Sequence, residues 1–130
     1  MPLFDRRHFV TTLLASVAFP AVMAQTKEHL GRLLIIGGAE DRQQDRLILR
    51  KFLELSGGPK AKIRFITAAS GVPDAVWASY QAVFQDLGAL DCAVVPMLSR
   101  EDASKPDVIA QIAQADGIFI TGGDQNRLMA

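Results

Sequence analysis

Apolar residues along this chain keep two rhythms that alternate. Short apolar-rich runs lead into turns, and longer stretches between them repeat apolar positions at helical spacing. The first run is Arg32-Leu33-Leu34-Ile35-Ile36, closed by Gly37-Gly38, which predicts a strand buried on both faces. Leu47, Leu49, Phe52, Leu53 and Leu55 then follow a helical period that Gly57-Gly58-Pro59 stops, as a helix carboxyl end requires. Lys62 to Thr67 predicts a second strand, leading into a turn through Ala68-Ala69-Ser70-Gly71. Val76, Tyr80, Val83, Phe84 and Leu87 share one helical face ending at Gly88. Asp91 to Val95 predicts a third strand closed by Pro96, and Asp116 to Ile120 a fourth. Between these two, Ser104 to Asp107 has the spacing of a capping box opening a helix with Val108, Ile109 and Ile112.

Strands and amphipathic helices in alternation predict an α/β fold: a parallel sheet with helices on both faces, joined by right-handed crossovers. Ligands of such sheets bind beyond the carboxyl ends of the strands. Those ends are Gly37 to Asp41, Thr67 to Gly71, Met97 to Asp102 and Thr121 to Gln125. The polar and glycine-rich residues therefore collect on one rim.

The first 24 residues follow a different rule. Arg6-Arg7 precedes an apolar stretch from Phe9 to Val22, diluted by Thr11, Thr12 and Ser16 and too short for the ~20 residues of a spanning helix. Val22 and Ala24 suit the small-residue positions before a signal cleavage site. Residues 1–24 are thus expected to be an export signal, of twin-arginine type by its Arg6-Arg7-His8-Phe9, with residues 25–130 as the mature chain, the N-terminal part of an α/β domain. The expected location is periplasmic or extracellular, with no stable membrane span.

Composition narrows the chemistry. The 130 residues are 49% apolar and 22% charged, with fourteen basic and fourteen acidic residues, and a mean hydropathy of +0.17. Zero net charge argues against nucleic acid as a partner. One cysteine, Cys92, and two histidines cannot build an internal disulfide or a zinc cage. Cys92 lies within an apolar strand and reads as a small core residue. Gly37-Gly38-Ala39-Glu40-Asp41 is neither G-x-G-x-x-G nor a P-loop. Glu40, Asp41, Asp102 and Asp124 could gather around a divalent cation, but loop acids and helix caps explain them more economically. Ser70 and Ser99 read as turn residues, since His8 leaves with the signal and His29 precedes the first strand, away from the rim, so neither serine has a base.

Thr121-Gly122-Gly123-Asp124-Gln125 is the most informative segment. Two glycines between a strand and a helix start leave backbone N–H groups clear to hold an oxyanion or carboxylate, and the Gln125 amide suits a peptide group. The alternative is a tight turn with Asp124 as its cap. After Gln125 the chain runs Asn126-Arg127-Leu128-Met129-Ala130, one helical turn without a cap. This is the pattern expected of the front part of a larger domain.

Leu33 to Arg42, the Ser99-Arg100-Glu101-Asp102-Ala103 loop and, most specifically, Ala115 to Gln125 are similar to the cyanophycinases. These belong to a serine peptidase family that also contains aspartyl dipeptidase. The resemblance runs from about Gly31 to Leu128. It implies a three-layer sheet related to that of class I glutamine amidotransferases, incomplete in this chain, and a serine-type exopeptidase that cuts cyanophycin to β-Asp-Arg dipeptides. It also implies no metal and no organic cofactor, with a peptide as partner; a homodimer is left open. The family's nucleophile lies in a Gly-Thr-Ser-Ala-Gly turn on the following strand, and its histidine and acid lie later, so no catalytic residue is expected among these 130. What carries over is backbone donation by Gly123 and Asp124 to an oxyanion hole, and substrate binding by Gln125. An aspartyl-dipeptidase-like peptidase and a non-catalytic secreted binding module remain the alternatives.

Overall fold

Three of the four apolar runs become strands, and the helical stretches between them become the helices that cover the sheet. The computed structural model describes residues 31–129; the expected leader and His29 lie outside them. In chain order the elements are α1 Leu47–Ser56, β1 Lys62–Ile66, α2 Pro73–Asp86, β2 Asp91–Val94, a 3₁₀ turn Asp102–Ser104, α3 Pro106–Ala113, β3 Gly117–Ile120 and α4 Gln125–Met129. The sheet order is β2-β1-β3, with both pairings parallel. This is the α/β, all-parallel architecture expected.

Register explains which face each residue serves. Phe65 stands beside Val94 and Phe119, and Arg64 beside Ala93 and Ile118, so the strands present matching faces across the sheet. On one face Ile63, Phe65 and Phe119 pack with Leu49 and Leu53 of α1 and with Tyr80, Val83 and Phe84 of α2. On the other, Ile66 and Val95 pack with Val108 of α3. The connection from β1 to β2 runs one way along the sheet, and that from β2 to β3 runs back past β1. Right-handed crossovers travelling in opposite directions put their helices on opposite faces, which gives three layers.

Local signals set several boundaries. Gly57, at φ 117°, ends α1, and Gly57 and Gly58 donate to the Glu54 and Leu53 carbonyls at 3.1 and 2.9 Å, the paired bonds of a Schellman ending. Pro73 and Pro106 open α2 and α3, where a missing N–H costs nothing. At the base of the sheet, Asp116 Oδ2 accepts the Lys62 N–H at 2.8 Å, and the Asp116 N–H donates to the Lys62 carbonyl at 2.9 Å. That exchange pins β3 to β1.

Two expectations are corrected. Among the described residues Arg32 to Ile36 joins no ladder, and Leu33 and Ile35 are 85% and 83% exposed. An apolar run shows which residues favour burial, but a strand also needs a neighbour that accepts its backbone bonds. The capping box at Ser104 does not form either: Lys105, at ψ 133°, is the cap residue of α3 and makes no side-chain cap bond. Pro106 holds the residue before it extended, so the helix starts after Ser104 has already closed the 3₁₀ turn.

Candidate functional site

The carboxyl ends of the strands form a rim whose tightest point joins β1 to β3. Beyond the ladder, Thr121 donates to the Ile66 carbonyl at 3.0 Å and Asp124 to the Ala69 carbonyl at 2.8 Å. A side chain at Gly123 would overlap the Ala69 carbonyl and lie 2.9 Å from the Ser70 nitrogen. Glycine is required here because two backbones meet.

That closeness assigns roles to the predicted residues. Asp124 is a cap: Oδ1 accepts the Asn126 N–H at 2.9 Å, and its carbonyl accepts from Arg127 at 3.0 Å. Its own N–H is spent on Ala69, so as the turn stands it is not an outward donor, contrary to the expectation from sequence. The Gly122 and Gly123 N–H groups have no acceptor among the described residues. Gln125 is exposed on the same turn, its amide open to solvent.

The four rim acids are engaged separately. Asp41 accepts the Gln43, Gln44 and Arg46 N–H groups, each at 2.9 Å, and these bonds, Arg46 first, lower its pKa to about 2. Asp102 Oδ1 pairs with Lys105 Nζ at 2.6 Å and Oδ2 accepts from Leu98 and Ser99 at 3.0 Å. Lys105 foremost holds that carboxyl well below the usual range. Among the described residues no three potential ligands gather around a metal position. Ser70 and Ser99 are turn residues, accepting the Val72 and Asp102 N–H groups at 3.0 and 3.2 Å. Cys92 packs against the aromatic core, and burial pushes its thiol pKa up, the reverse of nucleophile activation.

Glu40 departs from expectation. It is not a solvated loop acid, since its side chain is 7% exposed. Gly38 and Ala39, at φ 92° and 51°, turn the chain so that Glu40 reaches inward to accept the Tyr80 hydroxyl. Arg42 Nε sits 3.3 Å from the same Glu40 oxygen, its guanidinium carbon lies 4.8 Å from the Tyr80 ring centroid, and Nη1 donates to Ser79 Oγ at 3.3 Å. Burial, with Glu40 second, raises the Tyr80 pKa, so the phenol stays a donor. This trio edges a cleft of about 270 Å³ lined also by Ile36, Val76, Phe119, Thr121 and Gly122. Tyr80 and Arg42 were not among the residues expected from sequence. The available signal was the chain's one tyrosine on an apolar helix stripe, where a buried hydroxyl requires a partner.

The family model for peptidase family S51 matches residues 33–130. The chain belongs to peptidase family S51. Curated relatives include the cyanophycinase of Synechococcus elongatus, 39% identical over 106 residues, covering 82% of this chain and 33% of the relative. Those of Trichormus variabilis and Geminocystis herdmanii are each 36% identical, covering 95% and 78% of this chain and 41% and 38% of the relatives. The S51 chain described here thus spans a third to two-fifths of the length of these relatives.

Proposed function

We propose that this S51 chain supplies the substrate-facing rim of a serine-type exopeptidase that hydrolyses cyanophycin to β-Asp-Arg dipeptides. The observation that carries the reading is the turn at Gly123, where glycine is forced by the Ala69 backbone and a family match runs through the whole rim. Hydrolysis at a serine passes through an oxyanion that preorganised N–H donors stabilise. The Gly123 N–H is the donor ready for that role. Asp124 contributes its N–H only when the bond to Ala69, 2.8 Å long, opens. Gln125, exposed beside them, binds the substrate's amide. The nucleophile, its base and the acid come from residues other than these, and the chemistry calls for neither metal nor organic cofactor.

The test is incubation of the protein that carries this chain with purified cyanophycin, with mass-spectrometric detection of products. Release of β-Asp-Arg, blocked by a serine-directed phosphonofluoridate, supports the reading. Release of other peptides from aspartyl substrates alone would move the assignment to a dipeptidase, and binding without turnover would make the domain a binding module. Export of the protein through residues 1–24 is part of the same proposal. It is tested by fusing residues 1–30 to a reporter: Arg6→Lys with Arg7→Lys should abolish export.

A further inference from the structure

Both contacts that hold Glu40 use the same oxygen: Oε1 accepts the Tyr80 hydroxyl and lies 3.3 Å from Arg42 Nε. Oε2 takes part in neither. Among the described residues the sealed side-chain polar atoms without a partner are Arg46 Nε and Thr121 Oγ1, so Oε2 is not sealed, and Glu40 lines the cleft. The same wall holds Gly122, whose N–H has no acceptor among the described residues. Beside it stands Thr121, 4% exposed with its hydroxyl unpaired. Native interiors rarely leave a hydroxyl without a partner, and because this one can donate or accept it favours neither kind of ligand. We infer that this cleft is a binding subsite for an uncharged primary amide carried on a short apolar stem.

The balance of charge and hydrogen-bonding groups weighs against both ionic heads. Arg42 offsets the charge of Glu40 across their 3.3 Å contact, so the wall favours neither sign strongly. A carboxylate would be repelled by Oε2 and has no hydrogen to give it. An ammonium could donate to Oε2, but it would be repelled by the Arg42 guanidinium and, having only donors, would leave the Gly122 N–H unanswered. A primary amide carries both functions: its NH₂ donates to Oε2 and its carbonyl accepts from Gly122. The bond to the Glu40 carboxylate is the stronger of the two, because its acceptor is charged. Ile36, Val76 and Phe119 form the apolar bed for the stem. A volume of about 270 Å³ lies just under the smallest common ligand pockets, about 300 Å³, which suits a head and a few carbons. Binding here requires no nucleophile, so the inference stands apart from the peptidase reading.

The experiment is an amide NMR titration of the 130-residue chain, at neutral pH and constant ionic strength, with isovaleramide, isovalerate and isoamylammonium. These present three heads on nearly the same stem. Isovaleramide should shift the Thr121 and Gly122 amides saturably and bind about tenfold or more tightly than either ion, the usual difference for one bond to a charged group. Glu40→Gln is nearly isosteric. Tyr80 and Arg42 hold its oxygen side, so it sets an NH₂ donor where Oε2 was; isovaleramide should weaken about tenfold or more, and isovalerate should gain. Asp41→Asn alters the neighbouring acid, which does not line the cleft, and should stay within about threefold of the parent chain. Absence of saturable shifts, binding of either ion as tight as that of the amide, or undiminished amide binding by a folded Glu40→Gln chain would each overturn the inference. Should Glu40→Gln fail to fold, the comparison of the three heads on the parent chain decides alone.

Discussion

The two faces of the sheet are covered very differently. On one, Phe65 has the rings of Phe84, Trp77 and Phe119 at 5.1, 5.2 and 5.3 Å, with Phe52 edge-on to Phe119 at 5.2 Å. Two helices seal that face. On the other, α3 gives one fully buried residue, Val108, and Arg64 spends its position on an ion pair with Asp91 at 2.7 Å. Ile118 and Ile120 of β3 are left 39% and 56% exposed. The aromatic face therefore anchors the fold, and the rim is built from loops that rest on it.

Phe65→Ala should be the most damaging change, about 3–5 kcal/mol, measured by urea unfolding; a loss below about 1 kcal/mol would show that the aromatic face is not the anchor. Gly123→Ala comes next, at about 1–3 kcal/mol for forcing a side chain into packed backbone, with the Asp124–Ala69 bond lost. Val108→Ala on the thin face should cost about 1–2 kcal/mol. Ile120→Ala, solvent-facing, should fall within about 0.5 kcal/mol of the parent chain. If Ile120→Ala proved as costly as Val108→Ala, the distinction between the faces would fail.

The smallest effect concerns acid. The folded pKa of Asp41 is lowered to about 2, so its stabilisation is complete above the ordinary carboxylate pKa of about 4 and is lost as pH falls from there toward 2. Thermal melts between pH 6 and 2.5 should show a shallower acid-side decline for Asp41→Ala than for the parent chain.

Much of this was legible in the sequence. Short apolar-rich runs between the helical stretches located β1, β2 and β3, although Lys62 and Arg64 interrupt the first of them. Helical spacing located α1, α2 and α3. What was not legible depended on contacts distant in sequence. Arg32 to Ile36 has a strand's composition, yet pairing is a property of two segments, and among the described residues no strand takes up its bonds. Glu40 looked like any rim acid until the turn at Gly38 and Ala39 brought it under Tyr80, forty residues away. The oxyanion role assigned to Asp124 overlooked Ala69, whose carbonyl takes that N–H. Glycine-rich spelling marks where backbones come close, but not which N–H is consumed by the approach.

The central claim is that Gly123 lets β3's turn close onto Ala69, tying down one amide and leaving its neighbour open. Residue-resolved hydrogen exchange tests it within a single turn. Asp124 should be protected, Gly123 should exchange as freely as an open loop, and Gly123→Ala should abolish the Asp124 protection. Rapid exchange at Asp124 in the parent chain, or protection at Gly123, would contradict the account.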